Sequence, residues 1–260
     1  MTQTAIPIYL SAGVKAHIAR YADEASVMNL RLVNKECRQA GTEAVKKIVV
    51  RNQKDLAQAL RIFAPGKIDD LTLASDAFDD RDLQNLPLTL RRLNLSACSG
   101  LTAAGLAHLK GIPLQRLNLS ECVHITDDAL AHLRGMPLQY LDLVCCEHIT
   151  DAGIAHLEGM PLVHLNLSYC NRITDTGLAY LHRMPLQNLN LKGLDQLTDA
   201  GLAYLQKIPL RQLNFSFCDK ITNAGLAYLQ KMSLEKLTAS CCAKTTNIGL
   251  VKLTAPTTRN

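Results

Sequence analysis

Aromatic residues are scarce in this chain. Phe, Tyr and Trp together make up 4% of it and tryptophan is absent, so nothing interleaves rings with basic side chains as proteins that grip single-stranded nucleic acid do. No apolar run approaches the ~20 residues that span a bilayer, and a soluble protein with no membrane partner is expected. Strong charge of one sign is missing too: of the formal +5, residues 1–67 carry 11 Lys/Arg against 5 Asp/Glu, which leaves 17 against 18 for the rest. With most of its length near neutrality, the chain is not expected to bind nucleic acid. There is no glycine-rich phosphate loop, no pair of catalytic carboxylates and no Ser/His/Asp order. No signal-like segment stands at the start. The nine cysteines are an odd number, which points to a reducing, cytoplasmic compartment.

What is plentiful is leucine at fixed intervals. Nearly identical 24-residue units begin at Leu90, Leu114, Leu138, Leu162, Leu186 and Leu210, with a worn copy at Leu234. A shorter, eroded unit opens at Ile68, and Val45–Val50 followed by "DLAQALRIF" has the pattern of a first strand and helix. Self-similarity at this step is the signature of a leucine-rich repeat solenoid. Counting from Leu162 as position 1, apolar residues fall at positions 1, 4, 6, 9, 12, 17 and 20. The early part alternates as a strand with one buried face does, and Gly177–Leu181 has helical spacing. Thr174-Asp175 stands where a helix would be capped, and Pro185 where it would stop. The expected fold class is therefore α/β: a right-handed horseshoe, with a parallel β-sheet on the concave side, helices on the convex side and a helical cap at the N-terminal end. No single unit could bury its leucines without neighbours.

Stacking geometry accounts for most residues that look chemical. Cys98, Cys122, Cys146, Cys170, Cys218 and Cys242 all occupy position 9, where a small buried hydrophobe with a weak S–H donor suits a turn stacked on its copies. A single column of thiols is no tetrahedron around a metal ion, and parallel Cβ vectors disfavour disulfides along it. Leu194 takes the slot in one unit, as a filler would permit and a ligand or nucleophile would not. Cys145 and Cys241, one position earlier, are expected to face out of the turn. His108, His132 and His156 share position 19 on helices whose axes would lie ~8–10 Å apart, too far to share a metal comfortably. His124 and His148 lie on a turn edge continued by Arg172, Lys220 and Lys244. No catalytic residue, cofactor site or metal site is expected, and the chain reads as a non-enzyme.

Binding remains, and the strand phase locates it. Positions 3, 5, 7 and 8 are expected to face the concave side. Position 5 is almost uniformly asparagine, a polar ladder made by the repeat itself, whereas positions 3 and 8 vary. Aromatic and arginine side chains are the usual anchors of protein interfaces. The candidate surface for a protein target is thus Arg92, Arg116, Tyr140, Val144, His164, Tyr169 and Phe217.

The repeats resemble the cysteine-containing class of leucine-rich repeats found in eukaryotic F-box proteins, and wording such as Ile149-Thr150-Asp151-Ala152-Gly153-Ile154-Ala155-His156-Leu157 resembles repeat proteins of intracellular bacteria. The non-repeating start has amphipathic helical spacing at Val14, Ile18 and Tyr21, then at Val27, Leu30 and Val33. Through Ile6-Pro7, Ile18-x-x-Tyr21 and Val27-x-x-Leu30-Arg31-Leu32-Val33-x-Lys35-x-Cys37-Arg38 it also resembles an F-box. That resemblance implies docking on the adaptor of a cullin-type ubiquitin ligase through Pro7, Ile18, Tyr21, Val27, Leu30, Leu32 and Val33. It implies a substrate receptor, in the host cytosol if the protein is a bacterial effector. The pattern departs from the family's at Cys37, where a tryptophan is usual, at Ala22, and in the length of the stretch from Pro7 to Ile18. A scaffold or inhibitor whose helical start is only a cap is the alternative. The expected divisions are 1–44 F-box-like, 45–67 a first strand-helix unit, 68–256 repeats and 257–260 a short tail.

Overall fold

The computed structural model describes residues 31–32, 47–62 and 68–245. Its strands are β1 (Arg31–Leu32), β2 (Lys47–Val49), β3 (Asp70–Thr72), β4 (Arg92–Asn94), β5 (Arg116–Asn118), β6 (Tyr140–Asp142), β7 (His164–Asn166), β8 (Asn188–Asn190), β9 (Gln212–Asn214) and β10 (Lys236–Thr238). They form one open sheet in chain order, parallel from β2 to β10. The helices are α1 (Gln53–Ile62), α2 (Ala103–Ala107), α3 (Asp127–Ala131), α4 (Asp151–Ala155), α5 (Asp175–Ala179), α6 (Asp199–Tyr204) and α7 (Asn223–Leu229). From α2 to α7 each packs on the next. Strands stack about 4.8 Å apart whereas helices need about 8–10 Å, so the stack bends toward the sheet and makes it the concave side. This is the expected leucine-rich repeat solenoid. None of the described helices is long and apolar enough to cross a membrane.

Register follows the 24-residue step. Leu93, Leu117, Leu141, Leu165, Leu189 and Leu213 are paired neighbour to neighbour across the sheet, and all are buried. Burial of one such side chain contributes roughly 1.5–3 kcal/mol, and the core is one continuous cluster from Ile48 to Cys242.

At the N-terminal end, Arg31–Leu32 pairs antiparallel with β2, where helical spacing predicts a helix. An exposed edge strand presents a row of unpaired N–H and C=O groups, and β1 satisfies part of that row. Pro7, Ile18, Tyr21, Val27, Leu30 and Val33 lie outside the described residues, as do residues 246–260.

A clasp between consecutive units explains the Thr-Asp pair. Thr150 Oγ1 donates to Asp127 Oδ2 at 2.6 Å and Thr150 N to Asp127 Oδ1 at 2.8 Å, while Thr150 Oγ1 accepts from Ala152 N at the head of α4. The same clasp joins Asp80 to Thr102, Asp151 to Thr174, Asp175 to Thr198 and Asp199 to Thr222. Each carboxylate lies so close to the following unit that a Cβ at Gly105, Gly153, Gly177, Gly201 or Gly225 would collide with it. One junction departs: Ala103 stands where the other units have an acid or Asn223, Thr126 makes no capping bond, and the residue in the glycine slot is Ala129. Without a carboxylate to accommodate, the methyl group fits.

Candidate functional site

The turn that follows each strand positions the concave edge. Asn94, Asn118, Asp142, Asn166, Asn190 and Asn214 each accept, through Oδ1, the backbone N–H two residues on, at 2.8–3.2 Å. The uniform ladder at position 5 is therefore an internal turn device, as its regularity predicts. It delivers position 8 into the left-handed region: Ala97, Glu121, Cys145, Tyr169, Phe217 and Cys241 have φ between 56 and 63°. Residues with a Cβ occupy that region at a cost of roughly 1–2 kcal/mol. Their N–H groups extend the ladder to the next unit, as Tyr169 N does to Lys192 O at 2.8 Å.

One residue further on, the position-9 thiols are buried and donate. Cys98 Sγ reaches Leu73 O at 2.9 Å, and Cys122, Cys146 and Cys170 reach Leu95, Leu119 and Leu143 O at 3.0, 3.1 and 3.0 Å. Each thus ties itself to the strand of the preceding unit. Burial pushes Cys98 up to about 11 and Cys122, Cys170 and Cys218 up to about 12, and raises Cys146 as well. These thiols stay protonated near neutrality and make poor nucleophiles. Cys145 is half-buried and Cys241 exposed, facing out as expected; burial raises Cys145 first, aided by Glu121, Glu147 and Asp142.

Two clusters occupy the candidate surface. Along position 3, the Arg116 guanidinium lies 5.8 Å from the Tyr140 ring centroid, the Tyr140 and His164 rings are 5.9 Å apart, and Asn188 Nδ2 is 2.6 Å from His164 Nδ1. Partial burial, with Arg116 as a second cause, lowers the His164 pKa. The Tyr140 hydroxyl donates to Asp142 at 3.2 Å. This row borders a shallow concavity of about 250 Å³ lined by Asn188, Gln212, Asn214 and Lys236 among others. Arg92 stands apart, with Nε 3.0 Å from Asp70. Val144 is half-buried between the row and the turn.

The second cluster lies on the turn edge and contains a residue that the sequence pattern did not single out. The unit starting at Leu186 reads Lys192-Gly193-Leu194 where its neighbours read Ser168-Tyr169-Cys170 and Ser216-Phe217-Cys218. Gly193, at φ 72°, leaves room that a Cβ would lose to the Tyr169 ring. The Lys192 ammonium then lies 5.3 Å from the Tyr169 centroid and 5.1 Å from that of Phe217. Three consecutive units supply one aromatic-cation-aromatic sandwich, so rings and a basic side chain do interleave at this edge, contrary to the expectation from the scarcity of aromatics. Tyr169 and Phe217 remain 37% and 44% exposed, which makes them available to a partner. A signal was present in the letters: lysine at position 7, where most units have serine.

Leu32 lies in β1, and the other F-box-like candidates fall outside the described residues. Among the described residues no group of three or more His, Cys, Asp or Glu is arranged to hold a metal ion.

An open parallel sheet backed by short helices at a 24-residue step defines a leucine-rich repeat fold. Consistent with this, the leucine-rich repeat family model matches residues 136–157, 160–181 and 206–229. No curated protein matches the chain in sequence. Among solved structures, it is similar to a chain of the yeast Rad7 and Elc1 complex, at 18% identity and a TM-score of 0.55 over 64% of this chain and 47% of that one. It therefore spans about half the length of that relative. A chain of the mouse RP105/MD-1 complex shows 22% identity, a TM-score of 0.46 and coverage of 79% and 35%. For the leucine-rich repeat domain of APL1B the values are 18%, 0.43, and 93% and 75%.

Proposed function

We propose that this protein is a non-catalytic interaction protein whose concave face binds a protein target, and that it recruits this target to a cullin-type ubiquitin ligase through an F-box-like N-terminal segment. The observation that carries the first half is the Tyr169–Lys192–Phe217 sandwich. Two bulky aromatic residues stay partly exposed at a turn position that other units fill with Ala97, Glu121, Cys145 or Cys241, so the repeat itself does not call for rings there, whereas recognition would use them. Arg116, Tyr140, Val144 and His164 extend the binding surface along the strands, and Arg92 borders it through its ion pair with Asp70.

The second half rests on the resemblance of Pro7, Ile18, Tyr21, Val27, Leu30, Leu32 and Val33 to an F-box placed before repeats. The yeast relative, recorded in complex with Elc1, is in keeping with such an assembly. In this reading the protein works in the cytosol, the host's if it is delivered by an intracellular bacterium. A plain scaffold or inhibitor is the second reading, and β1 favours it: a strand that pairs on β2 is what a cap requires. Copurification from eukaryotic lysate separates the two. Retention of adaptor and cullin, lost on Leu30→Glu or Val33→Glu with the melting temperature unchanged, supports the ligase receptor; their absence supports the scaffold.

A further inference from the structure

Charge on the concave face is unevenly answered. Arg92 has Asp70 at 3.0 Å and Asp69 at 3.8 Å. Asp142 accepts from the Tyr140 hydroxyl, from Val144 N and from Asn166 Nδ2. Arg116, Lys192 and Lys236 form no ion pair among the described residues. From the unit starting at Leu162 to the one starting at Leu234, positions 3, 5, 7 and 8 hold no acid at all. The Lys192 ammonium is flanked by two ring faces, which attract it but supply no counterion.

We propose that the missing counterions are carboxylates of an acidic protein segment lying along the concave face, with one of them seated on the Lys192 ammonium between Tyr169 and Phe217. This deepens the concave-face reading and rests on it. The floor suits an extended backbone, because the concavity is lined by Asn188, Gln212, Asn214 and the imidazole of His164, all side chains that can meet peptide N–H and C=O groups. From β5, which carries Arg116, to β10, which carries Lys236, there are five strand steps, about 24 Å at ~4.8 Å each, or about seven residues of extended chain at ~3.4 Å. The segment therefore needs at least two acidic residues within about seven. Nucleic acid fits less well. The adjoining turn edge mixes exposed Glu147, Asp195 and Asp219 with exposed Arg172, Lys220 and Lys244, a balance that offers a continuous polyanion no net attraction beyond the concave-face cations, whereas a sparsely charged peptide needs only those.

Panning a displayed library of random dodecapeptides on the immobilised full chain tests the proposal, with calorimetry on synthetic copies of the enriched sequences. Expected are peptides with two or more acidic residues within about seven, whose affinity falls at least about tenfold for Lys192→Gln, survives Lys192→Arg and weakens with salt. Circular dichroism melting of each variant separates loss of contact from loss of fold. Neutral or basic peptides that still lose binding on Tyr140→Ala and Phe217→Ala would overturn the acidic segment and leave the concave-face reading standing. Peptides indifferent to every concave-face change, or no enrichment, would overturn both. A twelve-nucleotide oligothymidylate that binds more tightly than any peptide, and does so through Lys192, would overturn the choice of protein over nucleic acid.

Discussion

Two departures from the repeat run in opposite directions. Where the unit starting at Leu90 places Ala103 in the slot of the clasping acid, the next unit answers with Ala129 in the glycine slot, so the departure closes on itself and nothing new reaches solvent. Where the unit starting at Leu186 reads Lys192-Gly193-Leu194, the departure opens outward: a glycine gives way to a neighbour's ring, and a cation stands between two exposed aromatic faces. A change compensated within the core speaks of packing. One that sets a cation between partly exposed rings is what the proposed concave-face binding would use.

The comparison can be broken or sharpened by substitution. Both regions hang on the same leucine columns, and Leu165→Ala is expected to cost about 2–5 kcal/mol, read by urea denaturation; a change at outward-facing His156 is expected to cost under about 0.5 kcal/mol. Asp151→Ala removes two hydrogen bonds to a carboxylate and is expected to cost about 1–3 kcal/mol. Gly177→Ala alone brings its methyl group against Asp151 and also destabilises. Combined, the two should cost less than the sum of their separate effects, reproducing the Ala103 and Ala129 pair. In the reverse direction, Ala103→Asp is expected to destabilise alone and to become neutral or stabilising with Ala129→Gly. A strictly additive cycle would break the link between acid and glycine.

Smaller effects follow on the concave side. Ala97→Gly relieves a left-handed alanine at φ 59° and is expected to raise stability by up to about 1 kcal/mol. For His164, whose pKa is lowered first by burial and then by Arg116, the unfolded chain takes up the proton before the folded one as pH falls. Its contribution to stability is thus complete above the unfolded value of about 6.5 and is lost as pH drops toward the folded value. Titration by NMR should place its midpoint below that of an unfolded reference, and Arg116→Ala should move it upward.

The sequence made some of these features legible and concealed others. Strand phase, helix starts and the buried side of the cysteine column could be read from spacing because each depends on one unit and its period. Asn94 and its copies were recognisable as a ladder, but their role as acceptors for the N–H two residues on depends on a turn geometry that letters do not carry. The clasp is hidden in the letters because Asp127 belongs to one unit and Thr150 and Gly153 to the next, and they meet only once register is set. Ala103 and Ala129 held the clue. Tyr169 and Phe217 stand out as rare aromatics, whereas Lys192 comes between them only when three units are stacked. Arg92 was read as an anchor because pairing with Asp70 crosses from one unit to the next.

The claim that matters most is that the Lys192-centred cluster serves recognition and not folding. It is tested most directly by the unfolding free energy of Lys192→Ser, which restores the residue found at that position in neighbouring units. Two cation–π contacts at a partly exposed site are worth about 0.5–1 kcal/mol each at most, and the serine's gain at a native turn offsets part of that, so a loss below about 1 kcal/mol is predicted. A loss as large as that of Leu165→Ala would contradict the account and make the cluster part of the scaffold.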